Sequence, residues 1–459
     1  MDRPPLATRA APPSARRLSR RTALQVAGAV ATASVLAPAV SRAAAAATPS
    51  TPMAPPAGAT MRVTGQAVPE LTAFDRMITD LIARWQLPGA ALAVAKDGRL
   101  VFNRGYGFAD REQGLPVQPT SRFRIASVSK TITTVAILTL VDSGKLALDD
   151  KPFPLLGFTG PAHAPVDPRL ASITIRDLLV HAGGWDTSKS FDPQYLPWCR
   201  MAAAAMGAAD PPDAETIVRF MVGVALDVDP GTKSIYNNFG FNVLGRVIEQ
   251  ITGQSYANYV QTRVLQPAGV TDMQIAGTRL EDRAPGEVRY YPPAAYPTVP
   301  SVFWGDGFVP MPYGNYYLKA LDAAGGWIAA AADLIRYVTA IDGQRGLALL
   351  KPDTVTAMLN APRPPAGAPN ALINERPATG LGWVVQPGPG GPLWAHTGFL
   401  GGGTGAFLGR TASGVSIAFI TNTLPVDGPG FGTAMVQTLA ATAAQIRTWP
   451  SHDLFPAGT

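Results

Sequence analysis

The sequence predicts an α/β (α+β) fold: one antiparallel sheet built from both ends of the chain, flanked by N- and C-terminal helices, beside a mostly helical middle region. Three patterns carry that expectation. Near the start, a helix-periodic stretch runs into a tight hairpin signal. Near the end, three short apolar runs precede a second helical stretch. Between them, from about 120 to 340, helix-like segments alternate with Pro- and Gly-rich loops, with no internal repeat.

The chain has 459 residues, 47% of them hydrophobic, which is ample for a large core. Its formal charge of +6 lies entirely in the first 47 residues, which hold seven arginines and one aspartate. The remainder balances 31 basic against 31 acidic residues, so no nucleic-acid partner is expected. In residues 1–47, Ser19-Arg20-Arg21-Thr22 precedes an uncharged Ala/Val-rich run to Ser41, then Arg42 and the tract Ala43 to Ala47. This is the layout of a signal peptide, and the paired arginines resemble the twin-arginine type that exports folded proteins. The expected location is periplasmic or secreted, with no stable membrane insertion after cleavage. An uncleaved anchor is the competing reading; alanine contributes little to insertion.

Residues 48–67, rich in Pro, Ala, Thr and Gly, are expected to be a flexible linker, 68–447 the folded domain and 448–459 a tail. Leu71, Phe74, Ile78, Leu81, Ile82 and Trp85 fall at helical spacing, so 70–86 reads as an amphipathic helix ended by Pro88-Gly89. Asp97-Gly98, between the apolar runs 90–96 and 100–106, is a hairpin signal. Residues 393–396, 404–409 and 415–421 read as strands, and 431–447 as a closing helix. Cys199 is the only cysteine and cannot form an internal disulfide. Four scattered histidines (His163, His181, His396, His452) give no metal site. Neither GxxxxGK[ST] nor GxGxxG occurs, and no cofactor is expected.

Ser127 is followed three residues later by Lys130, and one helical turn places such a pair side by side. A serine hydroxyl needs a base, and a lysine kept neutral by burial can be one. The apolar run after the pair reads as a buried helix. Tyr236 and Asn238 form a second cluster: a phenol can relay protons, and an amide can bind a substrate carbonyl or hold an amine in place. His396-Thr397-Gly398 is a third, at a strand end where the Phe399 backbone N–H can serve an oxyanion. Residues 288–317 are crowded with aromatics, including Tyr290, Tyr296, Trp304, Phe308, Tyr313 and Tyr316. Either they wall a cleft or they pack a long loop. A GxSxG elbow, the mark of an α/β-hydrolase, is absent.

Together the three clusters resemble the serine β-lactamase and penicillin-binding family, in the branch of class C β-lactamases, DD-peptidases, D-aminopeptidases and related esterases. That family shows S-x-x-K, Y-x-N and a K/H-T-G triplet in this order. The stretches Gly144 to Asp150, Leu178 to Gly184 and Ala324 to Asp333 also look like it, and the resemblance covers about 70–445. It implies a β-lactamase-like fold with the active site between the sheet and the helical region. It implies Ser127 as acylated nucleophile, Lys130 as its base and Tyr236 as proton shuttle. Asn238 would bind the acyl-side carbonyl, with His396, Thr397 and Gly398 lining the substrate strand. Backbone N–H groups of Ser127 and Phe399 would form the oxyanion hole. The implied partner is a small-molecule ester, amide or peptide. His396 replaces the lysine usual in β-lactamases, so esterase or D-amino-acid peptidase chemistry is expected ahead of β-lactamase or DD-carboxypeptidase activity. A non-catalytic penicillin-binding or sensing protein is the alternative of a different class.

Overall fold

The computed structural model describes residues 61–365, 380–388 and 391–455. Residues 1–60, which include the expected signal peptide and most of the expected linker, lie outside the described residues. After a short strand β1 (Val63–Thr64), helix α1 (Thr72–Trp85) turns Phe74, Met77, Ile78, Leu81 and Ile82 to one side. It stops at Gln86, which takes the left-handed conformation. Strands β2 (Gly89–Lys96) and β3 (Arg99–Asp110) then form the expected hairpin. Both turn residues have positive φ, 50° at Asp97 and 78° at Gly98. That geometry matches the twist of paired strands and accounts for the Asp-Gly pair.

Helices α2 (Ser129–Asp142) and α3 (Phe239–Thr252) anchor the middle region. The chain then returns to the sheet as β4 (Val384–Gly388), β5 (Gly391–Leu400), β6 (Thr404–Thr411) and β7 (Val415–Thr421), and closes with α4 (Gly428–Gln445). The strand order is β1-β3-β2-β7-β6-β5-β4, antiparallel throughout. The two ends of the chain meet at its centre, where Leu92 pairs with Phe419 and Ala90 with Thr421. Alternation along β2 separates two layers. Ala90, Leu92 and Val94 join Phe74, Phe431 and Met435 under α1 and α4. Ala91, Ala93 and Ala95 join Leu334, Ile335 and Val338 of the helix Ala331–Ala340. Alanine is a poor strand former, and here packing overrides that propensity. Small side chains let a helix approach the sheet closely.

The fold reaches past the expected 68–447 domain at both ends. In the expected linker, Val63 pairs with Tyr106 and Thr64 with Gly105. In the expected tail, Leu454 N–H donates to Leu100 O at 2.8 Å, and Leu100 N–H donates to Asp453 at 3.0 Å. The Phe455 ring lies between the guanidiniums of Arg336 and Arg345, 4.1 and 4.3 Å from them. Composition alone hid these contacts, because the segments gain order from the strands they meet. The helical middle also holds two small sheets: Phe123–Arg124 with Trp327–Ala329 and Gln274–Ile275, and the hairpin Thr298–Pro300 with Phe308–Pro310. Strand β4 was not anticipated either; it is short and contains Pro387, which is tolerated at a sheet edge. Among the described residues, no helix is long and apolar enough to cross a membrane.

Candidate active site

Ser127 lies in a single 3-10 turn, Ala126–Val128, that leads into α2. Lys130 follows in the first turn of that helix, and its Nζ stands 3.1 Å from Ser127 Oγ. Ala126, just before the nucleophile, has φ of 48°. A non-glycine residue there costs about 1–2 kcal/mol. The turn is held by hydrogen bonds from Ile125 N–H to Trp327 O (3.0 Å) and from Val128 N–H to Ile125 O (3.1 Å).

Helix α2 is buried almost all round, and Lys130 is fully buried with it. Besides Ser127, its amine meets Asn238 Oδ1 at 2.8 Å and the Ala324 carbonyl at 2.7 Å. Burial lowers the Lys130 pKa to about 7, against the opposing pull of Asp192. Tyr236 Oη donates to Ser127 Oγ at 2.6 Å, and its ring centroid is 5.0 Å from the Lys130 amine. The three expected catalytic groups therefore stand together.

Tyr236 is held by a residue to which the sequence reading gave no role. His181, itself left-handed with φ of 58°, accepts at its carbonyl from Ile235 N–H (2.8 Å) and at Nδ1 from Asn237 N–H (3.3 Å). Its ring lies 4.5 Å from that of Tyr236. Burial holds its pKa well below the usual histidine range, so the imidazole is neutral. These bonds grip the chain on either side of the phenol.

Strand β5 supplies the third cluster. Its inner edge pairs with β6 along its length, whereas β4 covers the outer edge only as far as Ala395. From His396 onward, no described strand lies on that outer side. Gly398 passes so close to the nucleophile turn that a Cβ there would overlap the Ile125 carbonyl and sit 3.1 Å from Ser127 N. Only glycine permits this approach, which explains the third position of the triplet. The Phe399 ring packs into the α1/α4 layer, on the face of β5 away from the nucleophile turn that Gly398 meets. His396 is buried, and its Nδ1 lies 2.5 Å from Thr397 O, so that nitrogen carries the proton. Burial, reinforced by Lys130, lowers its pKa to about 3. The ring is uncharged at neutral pH.

Asn238 holds the lysine amine, one of the two tasks expected of its amide. Its Oδ1 accepts from Lys130, and one N–H of its Nδ2, the group expected to meet a substrate carbonyl, donates to Asp192 Oδ2 at 2.9 Å. Asp192 belongs to no motif, and the sequence offered no signal for it. The packing reading of the aromatic stretch holds for part of it. Tyr290, Tyr313 and Tyr316 are buried around Arg124, whereas Tyr296, Trp304 and Phe308 are exposed. Among the described residues, no group of His, Cys, Asp and Glu side chains could hold a metal ion.

The family model described as Beta-lactamase matches residues 74–442. The esterase EstB of Burkholderia gladioli is 29% identical over 391 residues, covering 76% of this chain and 90% of that protein. The protein flp of Staphylococcus aureus strain COL is 25% identical over 215 residues, 46% of this chain; the chain spans only 39% of flp. The solved D-amino acid amidase from Ochrobactrum anthropi SV3, complexed with L-phenylalanine, shares the fold with a TM-score of 0.61. It is 21% identical, with 82% of this chain and 99% of that one covered. With a match that runs from α1 to α4, the chain belongs to the beta-lactamase family and is a serine hydrolase.

Proposed function

We propose that Ser127 attacks an ester or amide carbonyl whose neighbourhood carries no carboxylate, and that the resulting acyl-enzyme is released by water. The geometry at Lys130 carries this reading. A neutral amine has two N–H donors and one lone pair. With Asn238 Oδ1 and Ala324 O taking the donors, the lone pair is left for the Ser127 hydroxyl. Lys130 then takes the Oγ proton as the Oγ–carbon bond forms. The carbonyl oxygen becomes an oxyanion, which the N–H groups of Ser127 and Phe399 receive. As the bond to the leaving group breaks, Tyr236 passes it a proton and regains one from the Lys130 ammonium. Water repeats the sequence on the acyl-enzyme and frees the acid.

His396 supports an uncharged substrate, since a buried neutral imidazole offers no fixed cation to a carboxylate. Arg363, whose charge also acts on His396, donates to the carbonyls of Gly380 (3.1 Å) and Trp383 (2.6 Å). The likeness to esterase EstB points the same way. Short p-nitrophenyl esters are expected to be turned over with a higher kcat/KM than nitrocefin or D-Ala-D-Ala peptides. Because neutral Lys130 is the active form, kcat/KM is expected to rise with pH through about 7 and then level off. A preference for nitrocefin would shift the reading to a β-lactamase. A flat profile between pH 5.5 and 8.5 would remove Lys130 as the base. We further propose that the chain is exported through its twin-arginine leader, which cell fractionation tests directly.

A further inference from the structure

Asp192 stands beside the catalytic groups without touching Ser127, on the loop that follows the His181-Ala182-Gly183-Gly184 stretch. Its two oxygens have different partners. Oδ2 accepts from Asn238 Nδ2 at 2.9 Å, and Oδ1 accepts from Gln194 N–H at 3.2 Å. The carboxylate is thereby fixed by its own backbone and in turn fixes the amide. An amide has two ends of similar shape, and only one suits Lys130. With Nδ2 on a carboxylate, Oδ1 is the end that faces the amine, as the 2.8 Å contact shows. A flipped Asn238 would set an N–H donor against an ammonium or an amine N–H and a carbonyl oxygen against a carboxylate. Both contacts would be lost.

We propose that Asp192 is a positioning residue: through Asn238 it fixes the orientation of the Lys130 amine, and it places a negative charge across the amide from that amine. The inference rests on the Ser127 acyl-enzyme reading and adds to it the group that sets the base. The other groups facing the amine are the Tyr236 phenol and the Phe241 ring, the neutral imidazoles of His181 and His396, and, acting on those imidazoles, Arg363. Among the described residues Asp192 is the carboxylate whose charge acts on Lys130, and it acts to raise the pKa that burial lowers; burial also raises the pKa of Asp192 itself, while the bonds from Asn238 and Gln194 and the Lys130 charge favour its ionised form.

Two substitutions separate the hydrogen bond from the charge. Asp192→Asn keeps an oxygen that can accept from Asn238 and removes the charge, together with the weaker bond from Gln194 N–H. Asp192→Ala removes all three. With the negative charge gone, the lysine releases its proton more readily, so the acid limb of kcat/KM is expected to move to lower pH in both variants. The plateau rate above the limb should stay within about threefold of wild type in Asp192→Asn and fall by about tenfold or more in Asp192→Ala, where Asn238 is free to turn. The rate of covalent labelling by a fluorophosphonate, measured from pH 5 to 9 on the full chain, gives the same profile without a natural substrate. A wild-type protein that does not label overturns the acyl-enzyme reading itself. A wild type that labels, with both variants keeping its limb, overturns the role of Asp192 alone; so does an alanine variant as fast as the asparagine one. If the alanine variant does not fold, the limb of Asp192→Asn decides.

Discussion

Replacing Lys130 with alanine is expected to reduce kcat/KM for a p-nitrophenyl ester by about 10²- to 10⁴-fold, the range for removal of a general base. The loss should fall on acylation, so the pre-steady-state burst of p-nitrophenol should disappear with the slow phase. The fold should survive. The substitution leaves Asn238 Oδ1 and the Ala324 carbonyl without their donor, at about 1–3 kcal/mol each if no water enters. It also removes an amine that burial already disfavours in its charged form. These effects oppose each other, and the packed α2 around the site does not depend on the amine. Circular dichroism and urea titration report the fold while stopped-flow reports the burst. A variant with a normal burst would move the base to Tyr236.

Replacing Arg124 with methionine is expected to cost about 3–5 kcal/mol of stability, because it strands a buried carboxylate. Arg124 and Glu287 are both wholly buried, with Nε 3.6 Å from Oε1. The guanidinium also donates to the carbonyls of Pro312 (2.5 Å), Gly277 (3.0 Å) and Thr278 (3.1 Å) and lies 4.3 Å from the centre of the Tyr290 ring. Its main chain is tied as firmly: Arg124 N–H donates to Tyr290 Oη at 2.8 Å, and Thr404 Oγ1 donates to Arg124 O at 2.8 Å. One residue thus joins the segment before Ser127 to the 277–313 loops and to β6. Activity should fall with stability, because the strained Ala126 depends on this surround. Replacing Glu287 by leucine in the same chain removes the stranded charge and should recover part of the loss, in the manner of a coupled pair. Urea denaturation measures both. A single substitution costing less than about 1 kcal/mol would show that the network is not a support.

The sequence was most legible where chemistry depends on neighbours along the chain. Ser127 and Lys130 share one turn, so their spacing alone predicts their contact. The hairpin at Asp97-Gly98 and the apolar face of α1 are local in the same sense. Tyr236 and His396-Thr397-Gly398 became readable through the order of three motifs, and the structure adds why the glycine is required. Asp192 and His181 were not readable as site residues. Their roles exist only because the fold brings them to Asn238 and to the backbone beside Tyr236, and neither spacing nor residue type announces that. Arg124 is of the same kind: nothing in Phe-Arg-Ile shows that the guanidinium is enclosed by loops more than 150 residues away. The ends of the domain were missed for a related reason. Val63, Asp453 and Phe455 gain their order from strands and side chains remote in sequence.

The central claim is that Ser127 carries the acyl group. Its most direct test is intact-mass and peptide analysis of the full chain after exposure to a fluorophosphonate. One adduct per chain is predicted, on the peptide that contains Ser127, and none in Ser127→Ala. A folded wild type that takes up no label, or a Ser127→Ala protein that labels at the wild-type rate, would contradict it.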